Sequence, residues 1–386
     1  DRYGLTAYDE ESDVKGLNGN GADVVVALSG VRIISCGGTK TNYCNASDST
    51  YSTSNIIGLN AASLGGATQA SVVNTDDSTI GFAPGVGGNV SVTLSDSSVV
   101  NLPFNNSVGV VATSTGDQTL LAPGTRDIYG LPDGDAPRVT VDLLKGSEVL
   151  VGQRGIEPTD AVAGDTNVAV LANSSGSWGR ELFTGVDLRH TVPGVVGDVE
   201  VTNLGDITAY GPNAIGVLAQ SIGGTSISSP SAGASKTNPN ATQPVGDSES
   251  PDIKILATGY PGSNGGNVTY TTVYTPSDGT AKQAGGSVTA EGDGASGLLL
   301  QSIGGGGGAG GDSTGLFVAV GGAGGRGGHG GSLDVTLDSS TVTTIGDYAK
   351  GVVGHTIGGG GGNGGFAKSF GILFDVGVGG SGGAGG

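Results

Sequence analysis

The chain has 386 residues, 79 of them glycine, and sets 16 Lys and Arg against 35 Asp and Glu for a net charge of −19. Charged residues at 13% and aromatics at 5% are few for a globular enzyme, while the aliphatic content is too high for a solvated disordered tail. A surface this acidic repels nucleic acid and anionic lipid, and no stretch approaches the ~20 apolar residues of a membrane-spanning helix.

In chain order, the first feature is the pair Cys36 and Cys44, enclosing Gly-Gly-Thr-Lys-Thr-Asn-Tyr. Two thiols without a nearby His make a poor metal site, and the spacing is not that of a redox pair. A disulfide closing a short surface loop is expected, which fits an exported protein.

A repeat begins at Gly58-Leu59-Asn60-Ala61-Ala62-Ser63-Leu64-Gly65-Gly66, weakens at Gly109–Gly116 and Ala169–Gly176, and is clear at Ala214–Gly224, Ala295–Gly305 and Ala349–Gly359. Its columns have physical content. The residue after the first Gly is aliphatic: Leu59, Val110, Val170, Val217, Leu298, Val352. Two residues on, it is small in four copies, with Leu300 and Gly354 as exceptions. Two further on stand Ser63, Ser114, Ser174, Ser221, Ser302 and Thr356. This is a strand period of two. It predicts that the Ser/Thr ladder points inward, its hydroxyls bonded to backbone at the corner made by the following Gly-Gly, whose glycines supply positive φ. The alternate column, with Gln220, Gln301 and His355, is predicted to face the other side as a surface column.

A second strand type interleaves with the first, as in Gly88–Leu94, Val139–Leu143, Asp198–Val201, Gly266–Tyr270 and Gly331–Leu337. No segment holds a helical period. The reading is all-β: a β-solenoid with loop insertions, with coils of roughly 20–25 residues and on the order of 12–16 of them. Residues 1–204 are expected to form N-terminal coils carrying the disulfide loop, and 205–386 a Gly-rich repeat section with an exposed loop near 228–251. After residue 300 the glycines cluster at fixed places around the repeat with aliphatic strands between them. That pattern predicts ordered turns or polyproline-II-like packing rather than a flexible linker.

Catalytic motifs fail on inspection. Gly246-Asp247-Ser248-Glu249-Ser250-Pro251, with His190 upstream, resembles a trypsin-like nucleophile block. Glu249, however, stands where Gly is needed and brings negative charge toward an oxyanion. Gly311-Asp312-Ser313-Thr314 lacks the remaining lipase blocks, and Gly307–Asp312 is a single copy of a calcium nonapeptide that binds only in tandem. His190, His329 and His355 have no second His or Cys at ligand spacing. No catalytic, cofactor or metal site is expected.

The block at Gly292–Gly311, with Gln301-Ser302-Ile303 followed by Gly304–Gly308, and the similar block at Gly346–Gly365 resemble the repeat of large Gly-rich bacterial autotransporter passengers. The resemblance is strong over about 205–386 and carried by the weaker copies before that. It implies type V secretion, a right-handed parallel β-helix, and display on or release from the cell surface through an outer-membrane barrel lying outside this stretch. It also implies a role in adhesion, aggregation or biofilm formation. The ligand is left open: a host or bacterial surface, a glycan, or a second copy, with no nucleic acid and no membrane insertion by this stretch. The competing readings are a polysaccharide-acting β-helix enzyme using paired carboxylates such as Asp133 and Asp135, and a phage-type or ice-binding Gly-rich scaffold.

Overall fold

The computed structural model describes residues 2–10, 21–35, 56–64, 87–103, 106–116, 137–153, 166–176, 196–224, 253–255, 262–276, 281–315, 318–370 and 376–386. No helix occurs among them. Short aliphatic strands form three large sheets, parallel throughout. The first holds Val24–Ser29, Val90–Ser95, Val139–Leu143, Val199–Asn203, Val268–Thr271 and Leu333–Thr336. The second holds Arg32–Ile34, Val99–Leu102, Glu148–Val151, Asp206–Tyr210, Ser287–Glu291 and Thr341–Ile345. The third holds Arg2–Glu10, Ile56–Leu64, Ser107–Gly116, Val168–Gly176, Ile215–Ile222, Ser296–Ile303 and Lys350–Ile357. The chain visits them in the order first, second, third, and each return lands beside the previous pass. The arrangement is compatible with a β-helix or solenoid.

Among the described residues the chain makes six such passes, not the 12–16 coils expected. All copies of the repeat fall on the third sheet in adjacent layers: Leu59 pairs with Val110, Val110 with Val170, Val170 with Val217, Val217 with Leu298, and Leu298 with Val352. Gln220 and Gln301 are neighbours although 81 residues apart, and Gln301 and His355 although 54 apart. The varying spacing adds no layer between successive copies, because each pairs directly with the next. The sheets also run without interruption through 204–205, where Leu204 N–H donates to Leu143 O (2.6 Å) and Asp206 N–H to Ser147 O (2.9 Å).

The core is thin and layered. Val90, Val139, Val199 and Val268 stack from the first sheet, Val100, Val149, Ile207 and Val288 from the second, and Leu59, Val110, Val170, Val217 and Leu298 from the third, all buried. The first Gly of the repeat sits where the second and third sheets pinch. A Cβ on Gly109 would lie 2.6 Å from the Val149 Cγ1, and one on Gly297 would lie 2.6 Å from the Val342 Cγ1. Tyr270 replaces valine in its column (Val92, Val141, Val201) and is fully buried. Its hydroxyl accepts from Asn203 Nδ2 (3.2 Å), and Asn203 Oδ1 accepts from Gly205 N–H (3.0 Å). Burial pushes its ionisation up to about 12, against the opposing pull of the Asn203 hydrogen bond.

Between the third sheet and the next pass of the first, the Gly-rich tracts run out and back as a lateral bundle. Gly322, Gly325 and Gly328 donate to the carbonyls of Gly311, Gly308 and Gly305 at 2.7–2.9 Å. One layer on, Gly359, Gly362 and Gly365 donate to Gly328, Gly325 and Gly322, and Gly386, Gly383 and Gly380 donate to Gly359, Gly362 and Gly365. Bonding at every third residue, between segments and never within one, is the habit of packed polyproline-II helices. The tracts read Gly-Gly-x, and the x positions, Ala309, Arg326, His329 and Asn363 among them, turn toward the outside. The bundle ends in small parallel sheets, Ile253–Ile255 with Val318–Val320 and Val376–Val378, and Ser313–Gly315 with Ala367–Ser369.

The Gly-Gly after the Ser therefore has a different reason from the one the sequence suggested. Gly223, Gly304 and Gly305 do not have positive φ; a Cβ on Gly305 would fall onto the Gly224 carbonyl. Positive φ is found instead in the turns from second to third sheet, at Gly292, Gly294, Gly346 and Tyr348.

Candidate functional site

The Ser ladder faces inward. Ser63, Ser114, Ser174, Ser221 and Ser302 are each at most 1% exposed, because they share the strand face of the aliphatic and small columns. Each hydroxyl lies between two layers. Ser302 Oγ donates to Gly266 O (2.7 Å) in its own layer and accepts from Gly331 N–H (2.7 Å) in the next. Ser221 does the same with Gly197 O (2.9 Å) and Gly266 N–H (2.8 Å), and Ser63 with Ala22 O (2.8 Å) and Gly88 N–H (2.7 Å). Ser114 donates to Gly88 O, and Ser174 accepts from Gly197 N–H. The partners head the strands of the first sheet; they are not the Gly-Gly following the Ser. Thr356 holds the equivalent place in the last described strand of the third sheet, where it is exposed.

A ladder that the sequence reading missed runs beside it. Asp23 Oδ1 accepts from Asn89 N–H (2.7 Å), Asn89 Oδ1 from Arg138 N–H (2.8 Å), Asp198 Oδ1 from Asn267 N–H (2.7 Å), and Asn267 Oδ1 from Ser332 N–H (3.0 Å). The signal was an Asn, Asp or Ser after the Gly or Ala heading five of the six strands of the first sheet, Pro137-Arg138 being the exception. A side-chain acceptor there satisfies the next layer's amide at an otherwise open corner.

The polar column of the third sheet faces outward. Gln220 Nε2 donates to Gln301 Oε1 (2.5 Å), and Gln301 Nε2 lies 3.2 Å from His355 Nδ1. Asn173 and Thr113 precede them in register. Two apolar columns flank this amide line: Val111, Leu171, Leu218, Leu299 and Val353 on one side, Ile222, Ile303 and Ile357 on the other. Leu171, Leu218, Leu299, Gln220 and Gln301 are half-buried, and His355 is exposed.

The other outer faces carry the charge. Asp142 and Glu200 lie on adjacent strands of the first sheet, with Arg138 Nη1 3.9 Å from Glu200 Oε2. Burial raises the Asp142 pKa, a hydrogen bond from Thr202 opposes this, and the Glu200 charge adds to the rise. Asp312 Oδ1 accepts from Phe366 N–H (2.6 Å), so it caps the next layer, and Ser313 beside it is 1% exposed. Among the described residues no three His, Cys, Asp or Glu gather as metal ligands. Cys36, Cys44, Asp133, Asp135, His190 and 246–251 lie outside the described residues.

No family model, no characterised protein and no solved structure matches the chain.

Proposed function

We propose that this chain is part of a secreted or surface-displayed structural passenger of the autotransporter type, a right-handed parallel β-helix that serves adhesion. The observation that carries this reading is the placement of the repeat. Its copies fall one per layer on the third sheet, and the Gly tracts that follow the later copies build the lateral bundle. The residues that resemble autotransporter passengers are thus layer-forming residues: inward Ser staples, pinch-point glycines and outward amides. Parallel strands joined by crossovers within one sheet favour the right-handed sense. A stack extended by repetition presents a long outer face at little folding cost, which suits a stalk or adhesin.

The test is display. The chain is placed between a secretion leader and an outer-membrane barrel in a non-adherent Gram-negative host. External protease should remove it from intact cells, and those cells should bind to glass, host-cell monolayers or one another above the level of a barrel-only control. Surface exposure without any gain in binding would contradict the adhesive role.

A further inference from the structure

We infer that the outer face of the third sheet is an interface for a second copy of this chain, packed face to face. The inference deepens the reading of that face as a contact surface and rests on it. Along the amide column and its two apolar flanks, from Val111 to Ile357, no Asp, Glu, Lys or Arg occurs. On a chain of net charge −19 this is a selective absence. The outer faces of the first and second sheets carry Asp142, Glu200, Asp334, Glu148, Asp206 and Glu291. Two copies meeting on either of those faces would oppose carboxylates; meeting on the third sheet, they hold the acidic faces apart.

The chemistry of the face is self-complementary. A primary amide both donates and accepts, so a Gln column can pair with its own twofold copy. The Gln220–Gln301 bond already shows the column pairing with itself between layers. Leu and Ile columns on both sides would lose their remaining water contact against the same columns of the partner. Five strands about 4.8 Å apart and about six residues long give a flat footprint on the order of 450–500 Å² per copy. That is below the ~800 Å² per partner of a tight complex and within the range of reversible association. A weak contact of this size would multiply along an array of copies on a cell surface.

Sedimentation velocity on the purified chain, from about 1 to 200 µM, tests this. The expected result is a reversible rise in sedimentation coefficient from monomer toward dimer. Gln301→Glu combined with Leu218→Glu should weaken the association at least tenfold by placing carboxylates against each other, while Thr289→Glu on the second sheet should leave it unchanged. Melting curves check that all variants fold. Gln301→Glu alone, at a half-buried outer position, keeps the test alive should Leu218→Glu fail to fold. A monomer at every concentration overturns the inference, as does equal weakening by Thr289→Glu. Cells displaying the chain that still bind glass or host cells, with the purified chain monomeric, would overturn the self-contact and leave the adhesive role standing.

Discussion

Gly362→Ala is expected to destabilise the protein by about 1–3 kcal/mol, whereas Gly360→Ala, two residues away, changes stability by less than about 0.5 kcal/mol. The two substitutions add the same methyl to the same tract. At Gly362 the new Cβ would fall onto the carbonyl of Gly308 in the preceding layer, so one of the two polyproline-II segments must shift. That shift would strain the bond from Gly362 N–H to Gly325 O (2.8 Å). At Gly360 nothing lies within 4 Å of the added carbon. Stiffening the unfolded chain favours alanine slightly at both sites, so the difference between them isolates the packing. Urea denaturation of both variants measures it. Equal midpoints would mean that the tract is not packed.

Ser302→Val is expected to cost about 1–3 kcal/mol for each backbone group it strands. The groups are Gly266 O and Gly331 N–H, each 2.7 Å from the buried Ser302 hydroxyl and themselves half-buried between two layers. Valine fills the space but offers neither donor nor acceptor, and no water need enter a corner this tight. Gln301→Thr, next to it on the opposite face, removes outward bonds to Gln220 and His355 that water can replace, and should cost less than about 1 kcal/mol. The comparison is again between denaturation midpoints. Equal losses would contradict the inward assignment of the Ser ladder.

What could be read in advance followed from local periodicity. The aliphatic, small and hydroxyl columns alternate with period two, and that rule assigns Ser302 and Gln301 to opposite faces before any fold is known. The ordering of the Gly tracts was legible from their fixed place around the repeat. The length of one pass was not. Strand periodicity says which way a side chain points, but not how far the chain travels before returning, and here up to 81 residues separate neighbours. The partner of each Ser was hidden for the same reason: Gly88 follows Ser63 by 25 residues and Gly266 follows Ser221 by 45. The role of Gly-Gly was misread because glycine serves two needs, unusual φ and close approach, and one sequence does not separate them. Asn203 and Tyr270 likewise look like ordinary strand residues until the layers set them hydroxyl to amide.

Residue-resolved amide hydrogen exchange tests the central claim most directly: that sheets and glycine tracts are successive parts of the same layers. The amides of Gly325, Gly362 and Gly383, bonded at 2.7–2.8 Å to the neighbouring tract, should exchange on the slow timescale of Val139 and Val199 in the first sheet. Protection should recur with a period of three, at Gly359, Gly362 and Gly365 in one tract and at both Gly321 and Gly322, Gly324 and Gly325, and Gly327 and Gly328 in the tract beside it. Exchange of those glycine amides at unfolded-chain rates, with Val139 and Val199 still protected, would contradict the account.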